Sequence, residues 1–272
     1  MRFSPNAHKF HVMKSQMPLL VFTDLDGTLL SHENYQCDAA HPALKRLESI
    51  GAGIVMASSK TASEISALRE DLQLQHWPAI VENGAGVLEP HVQAAKDGSI
   101  YAQLRAKLDQ MSAPLRAQFL GFGDMDAAQV ADITGLSRSA AALAKRRAFS
   151  EPGIWSGVPQ EKAVFLEALN VQGIFAREGG RFLTLSFGGS KADQMAQITT
   201  ELAPRHTIAL GDAPNDVEML EAADFGIVIA NSHRAPLPEL KGEATGKIMR
   251  TTQTGPDGWN TAILAHLKRL NL

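Results

Sequence analysis

A chain of 272 residues, 44% hydrophobic, 20% charged and formally −3 at pH 7, has the length for one large or two modest domains and an ordinary globular composition. The mild negative charge argues against a nucleic-acid or anionic-membrane partner, which calls for a basic face, and no apolar run approaches the ~18 residues of a membrane helix. The one cysteine, Cys37, rules out an internal disulfide and reads as an incidental thiol of a reducing compartment.

Met1–Gln16 carries lysine and histidine but no apolar core of signal-peptide length, so it reads as a loose leader and the protein as cytoplasmic. Leu19-Leu20-Val21-Phe22-Thr23 is apolar or β-branched throughout, the pattern of a strand buried on both faces. Asp24 falls at its carboxyl end and Asp26 in the turn after it. Ligands of open parallel sheets gather at that end. Two acids crowded there repel each other unless a cation or a shared proton intervenes, and a hard, oxygen-seeking ion such as Mg2+ suits the position. One carboxylate can then attack an electrophile while the other trades protons.

Leu30 to His41 is polar, a loop at the mouth of the site. Pro42 opens a helix with Leu44, Leu47 and Ile50 inward and Gly51 at its end. Gly53–Ala57 is a second buried strand, followed by Ser58-Ser59-Lys60-Thr61 and a helix with Ser63 as N-cap and Ile65, Leu68 and Leu72 inward. Ser58 serves either as a plain helix-capping serine or as a hydroxyl for a bound phosphoryl oxygen. Ala79-Ile80-Val81 is a third strand. In the Glu82-Asn83-Gly84-Ala85 turn after it, Glu82 and Asn83 either shape the turn or face a substrate.

From about Leu88 to Phe187 the texture changes to that of a separate α+β module. Leu104, Leu108, Met111 and Leu115 mark one helix; Val130, Ile133, Leu136 and Ala140 suggest another. Strands are expected near Ala148–Trp155 and Arg181–Phe187, around a helix at Gln160–Leu169. Arg147 and Glu151 flank the first of these strands, as a surface ion pair or as readers of a carboxylate and of sugar hydroxyls. The division expected is 17–88 and 187–272 as core and 89–186 as the inserted module. Lys191 opens a helix where the dipole disfavours a cation, a conflict that points to a role. His206–Leu210 is the next core strand and ends in Gly211-Asp212-Ala213-Pro214-Asn215-Asp216, again acids at a strand's carboxyl end. Phe225–Ile229 is a further strand, Lys247–Met249 another, and Trp259–Leu270 the last helix. Gly255–Gly258 is either a plain turn or part of the site mouth.

Asp24-Leu25-Asp26-Gly27-Thr28-Leu29 matches DxDGT, and the stretch from Gly211 to Asp216 matches GDxxND. With Ser58 and Lys191 between them in order, the chain resembles the haloacid-dehalogenase-like (HAD) phosphatases. The resemblance implies an α/β fold: a Rossmann-like parallel-sheet core with an inserted α+β type-B cap. It implies Asp24 as nucleophile and Asp26 as acid/base, with Ser58 contacting phosphate and Lys191 neutralising charge. It also implies an Mg2+ site from the Asp24 side chain, the Asp26 backbone carbonyl and Asp212, completed by Asn215 and Asp216 directly or through water. Lys60 stands where relatives often carry Arg, and Gly188-Gly189-Ser190 before the lysine departs from many of them. Four strings narrow the resemblance to mannosyl-3-phosphoglycerate phosphatases: Ser58–Thr61, Thr134–Arg138, Phe149-Ser150-Glu151-Pro152 and Gly255–Trp259. They imply a phosphorylated sugar or glycerate substrate met by Ser59, Lys60, Glu82, Asn83, Arg138, Arg147 and Glu151. The alternatives are a related hexose-phosphate or glucosyl-3-phosphoglycerate phosphatase, or a silent binding module on the same scaffold. No stretch compels a dimer.

Overall fold

The computed structural model describes residues 16–93, 98–179 and 181–272, so the expected leader lies outside them save for Gln16. The opening run forms β1 (Leu20–Thr23), buried throughout. Gly27, at φ +84°, turns the chain so that its N–H donates to Leu30 O. α1 (His41–Ser49) holds Pro42 in its first turn, where the missing N–H costs nothing. β2 (Gly53–Ala57) pairs in parallel with β1. α2 (Ala62–Asp71) is capped by Thr61, not by the expected Ser63. Thr61 Oγ1 accepts from the Glu64 N–H and the Glu64 carboxylate accepts from the Thr61 N–H, a reciprocal pair that Ser63, followed by Ser66, has no acid to form. β3 (Ala79–Val81) continues the parallel sheet, and β4 (Gly86–Leu88) adds an antiparallel edge too short to show a sequence period.

The cap follows as α3 (Ser99–Asp109), α4 (Ala113–Arg116), β5 (Phe119–Gly121), α5 (Ala127–Thr134), α6 (Arg138–Ala144), β6 (Ser150–Trp155), α7 (Pro159–Val171), β7 (Phe175–Gly179) and β8 (Phe182–Ser186). Its antiparallel sheet runs β5-β6-β8-β7, where two strands were expected. The unforeseen ones are the edges: β5 has three residues, and β7, Phe-Ala-Arg-Glu-Gly, lacks an apolar period. The helix expected across Val130–Ala140 is two helices. Gly135 leaves α5 at φ +79°, and Ser137 Oγ accepts the Ala140 N–H to start α6. Leu104 and Leu108 of α3 and Phe165 and Leu169 of α7 cover one sheet face, against Leu183 and Leu185.

The core resumes with α8 (Lys191–Leu202), β9 (Thr207–Gly211), α9 (Val217–Ala222), β10 (Phe225–Ala230), β11 (Ile248–Thr254) and α10 (Gly255–Arg269). α10 begins at Gly255, ahead of the expected Trp259, so Gly255–Gly258 is helical and not a plain turn. The core sheet runs β11-β10-β9-β1-β2-β3-β4. Leu47, Ile65, Trp259 and Ile263 pack α1, α2 and α10 on one face, and Met195, Ile198, Met219 and Leu220 pack α8 and α9 on the other. Trp259 Nε1 donates to Thr23 Oγ1 at 3.0 Å, pinning α10 beside the residue before Asp24. The chain leaves β1 on one side for β2 and returns on the other as β9. The strand order therefore reverses between β1 and β9, which opens a crevice at their carboxyl ends.

Candidate active site

Asp24 ends β1 and Asp212 ends β9. The parallel register and the Asp24 N–H, donating to Leu210 O at 2.9 Å, set them side by side. Lys191 reaches in from the first turn of α8 and donates to Asp24 Oδ1 at 2.6 Å and to Asp216 Oδ1 at 2.7 Å. These two buried ion pairs explain a lysine at a helix N-terminus: contact with two carboxylates outweighs the dipole. Asp216 Oδ2 accepts the N–H groups of Asp212 and Ala213. Asp212 accepts from Thr28 Oγ1 at 3.0 Å and from Asn231 Nδ2 at 2.5 Å. The start of α8 seats against the Glu82 turn only because Gly84 lacks a side chain; a Cβ there would stand 2.1 Å from the Ser190 carbonyl carbon.

Two buried carboxylates, Asp24 and Asp216, contact the Lys191 ammonium, and Asp212 stands beside them with Arg234 Nε 3.6 Å away. Burial pushes Asp24 up to about 8, with Asp216 and Asp212 adding to the rise and Lys191 opposing it. Burial alone would lower Lys191; Asp216 and Asp24 outweigh it and hold it protonated above its ordinary value. Part of the rise at Asp24 thus comes from neighbouring carboxylates, a repulsion that a divalent cation bound among them would offset. Carboxylate oxygens of Asp24, Asp212 and Asp216 lie within 4.8 Å of one another. An all-oxygen set of this kind fits Mg2+. Asp26 borders the same space: its Oδ2 is 3.0 Å from Lys60 Nζ, and its buried Oδ1 has no hydrogen-bond partner.

Asp24, Asp26 and Asp212 line the floor of a cleft of about 620 Å3 beneath the cap. Asn83 and Asn215 stand at its wall and are joined by a 2.9 Å bond from Asn215 Nδ2 to Asn83 Oδ1, a bond that does not use Asn215 Oδ1. Ser59 lines the cleft, whereas Ser58 is buried and its Oγ accepts the Lys60 N–H. Lys60 is turned to Asp26, and that contact outweighs burial and raises its pKa.

Four residues expected to meet substrate are placed otherwise. Glu82 borders the cleft, but its carboxylate is spent on the cap: Oε1 accepts Ala148 N–H at 2.8 Å, and Oε2 accepts the Phe149 and Ser150 N–H groups and Ser150 Oγ. Arg147 lies 3.3 Å from Glu82 and donates to Ser59 O and Ser150 Oγ, closing the same junction. Glu151 sits in the cap interior, where it accepts from Tyr101, Arg105 and Gly123. The reason is strand parity: Glu151 pairs with Leu185, a residue of the helix-covered face, while its neighbours Ser150 and Pro152 point the other way. Arg138 opens α6 as an exposed residue and is not among the residues lining the cleft.

Other groups at the site escaped the sequence reading. Thr28 lies inside the quoted hexapeptide, and Asn231 follows the carboxyl end of β10, where the strand-end rule points. Arg177, Thr184 and Ser186 on the cap wall and Arg234 on the core side carry no local signal.

A crevice at the point where a parallel sheet reverses, with acids gathered beside one buried lysine and a cap above, defines a class of capped α/β proteins. Comparison with known families makes this specific. The chain belongs to the haloacid dehalogenase-like hydrolase family, whose sequence profile matches residues 21–117 and 167–250. Among solved structures it is similar to the sucrose-phosphatase of Synechocystis sp. PCC6803, determined with sucrose and phosphate, at 15% identity and TM-score 0.60 over 94% of this chain and 99% of that one. It is similar to a HAD-superfamily phosphatase of Bacteroides thetaiotaomicron at 19% identity and TM-score 0.57, covering 97% and 99%. A Thermotoga maritima protein matches at 16% identity and TM-score 0.61, covering 93% and 97%. At these identities the likeness is one of fold.

Proposed function

We propose that the protein is a Mg2+-dependent phosphomonoester hydrolase working through an aspartyl-phosphate on Asp24, and that its substrate is mannosyl-3-phosphoglycerate, cleaved to mannosylglycerate and phosphate. The observation that carries the reading is the convergence of Asp24, Asp212 and Asp216 on one another, with Lys191 bonded to Asp24 and Asp216, at the β1–β9 crevice. An Asp24 carboxylate oxygen attacks phosphorus in line, and the bond to the leaving alkoxide breaks as Asp26 protonates it. Asp26 then takes a proton from the water that attacks the aspartyl-phosphate, releasing phosphate and restoring Asp24. Lys191 offsets charge on the transferring group from a dry, preorganised position. Ser59, at the end of β2 and on the cleft, supplies a hydroxyl to the phosphoryl oxygens, and Ser58 beneath it holds the turn by accepting the Lys60 N–H. Asp24, the Asp26 carbonyl and Asp212 would hold Mg2+, with Asp216 and Asn215 ordering its surroundings; when bound, the ion supplies charge neutralisation and orientation.

The four mannosyl-3-phosphoglycerate-type strings support the finer substrate. The fold likeness to a sucrose-phosphatase supports a second reading, another sugar phosphate. A silent binding module is disfavoured because the chemical groups of all four motifs are present. The test is phosphate release over a panel of sugar and glycerate phosphates, with Mg2+ and with EDTA. EDTA is expected to silence turnover, and Asp24→Asn to abolish it while circular dichroism stays unchanged. Full turnover by Asp24→Asn overturns the nucleophile assignment.

A further inference from the structure

The cap wall of the cleft is built from β7 and β8, and their pairing fixes which side chains face the floor. Arg177 lies directly across from Thr184, and Phe175 across from Ser186. Leu183 and Leu185, alternating with them, go to the helix-covered face. Glu178, next in sequence to Arg177 and also at the edge of the cleft, turns its carboxylate to Lys162 of α7. Among the described residues on the core side, Lys191 is engaged by Asp24 and Asp216 and Lys60 by Asp26, while Arg234, 3.6 Å from the buried Asp212, sits beside the acidic cluster and away from the cap wall. Among the described residues, Arg177 is paired with Glu218 of the core, 3.7 Å away, with both side chains half exposed. A pair so long and so wet holds its partner weakly, so Arg177 can exchange it at little cost.

We infer that Arg177 and Thr184 form a subsite for a second anionic group on the substrate, a carboxylate a few bonds from the phosphoester. The inference rests on the phosphatase reading and deepens it. The phosphoryl group is met at the floor by the acidic cluster and Lys191, so a surplus guanidinium on the opposite wall has a different charge to read. A guanidinium offers a planar fork of donors that matches a carboxylate's two oxygens. Thr184 on the same face adds a hydroxyl to the rim of that fork. When the substrate's carboxylate arrives, Arg177 leaves Glu218 for it. The subsite favours acid-bearing phosphoesters over sugar phosphates whose remote part is neutral.

The experiment measures kcat/KM for 3-phosphoglycerate and for glucose 6-phosphate with wild type, R177A and R177K. Loss of one charge-assisted fork lowers the ratio of the two constants in R177A by about 10- to 100-fold, mainly through KM for 3-phosphoglycerate. R177K, keeping the charge without the fork, falls between. An R177A ratio within about twofold of wild type, or an equal loss on both compounds, overturns the subsite while leaving the phosphatase reading intact. Release of phosphate from neither compound, nor from any other phosphomonoester, by wild type with Mg2+ is failure of the phosphatase reading itself and takes the subsite with it.

Discussion

Glu82→Gln tests how the cap is held to the core. The Glu82 carboxylate is fully buried and accepts the N–H groups of Ala148 and Ser150 at 2.8 Å each, the Phe149 N–H at 3.2 Å and Ser150 Oγ at 2.7 Å, beside Arg147 Nε at 3.3 Å. Glutamine keeps the volume, so no cavity forms. Whichever way the amide is placed, one oxygen becomes an NH2 that faces a buried donor, and Arg147 loses its counter-charge. A lost bond to a charged group is worth about 1.5–3 kcal/mol, and a stranded buried N–H about 1–3 kcal/mol more. The expected loss is about 3–4 kcal/mol, or a Tm lower by roughly 10 °C for a chain of this size. Urea unfolding followed by tryptophan fluorescence reads the loss, and the Glu82→Ala variant, which leaves every donor stranded, is expected to lose more. A Glu82→Gln protein within about 0.5 kcal/mol of wild type, the scatter of an ordinary surface substitution, refutes the claim that this carboxylate clamps the cap.

Gly84→Ala places a Cβ 2.1 Å from the Ser190 backbone at a residue with φ +91°, so it strains the turn and displaces Lys191; phosphate-release activity is expected to fall with Tm, and an active variant of unchanged Tm counts against the close backbone approach. Acid sensitivity of the cap follows from Asp124. Burial opposes ionisation there, but hydrogen bonds from Arg105 and Arg116 outweigh it and hold the carboxyl down at about 2. A depressed carboxylate stabilises the fold fully above its unfolded value and loses that contribution as pH falls toward its folded one. Its share, about 1–2 kcal/mol after discounting for solvent screening, is therefore lost between about pH 4 and pH 2. Glu151 pulls the other way, since burial raises it, and it is present in both of the proteins compared. Urea midpoints at pH 5 and pH 2.5 are expected to converge in Asp124→Asn relative to wild type; an unchanged gap contradicts the assignment.

The sequence alone determined the parts whose signal is local. An apolar run of Leu19–Phe22 must be buried, so it becomes a central strand, and the acids that follow it fall at the sheet's carboxyl edge whatever the rest of the chain does. The same logic placed Asp212 after β9, the conflict with the helix dipole singled out Lys191 at the head of α8, and the change of texture after Leu88 led to the expectation of a separate module. Only the tertiary structure decided which side chains share a space. Glu151 and Arg177 both lie on or beside cap strands, yet pairing with Leu185 sends the first into the cap interior while pairing with Thr184 sends the second over the cleft. Strand parity relative to a partner is a property of two segments at once, and a one-residue change of register reverses it. Glu82 likewise reads as a turn residue until the backbone of Ala148–Ser150, far along the chain, arrives to use its carboxylate. Burial is written in the residues themselves, whereas partnership depends on long-range chain closure, and that is why the floor of the site was legible in the sequence and its roof was not.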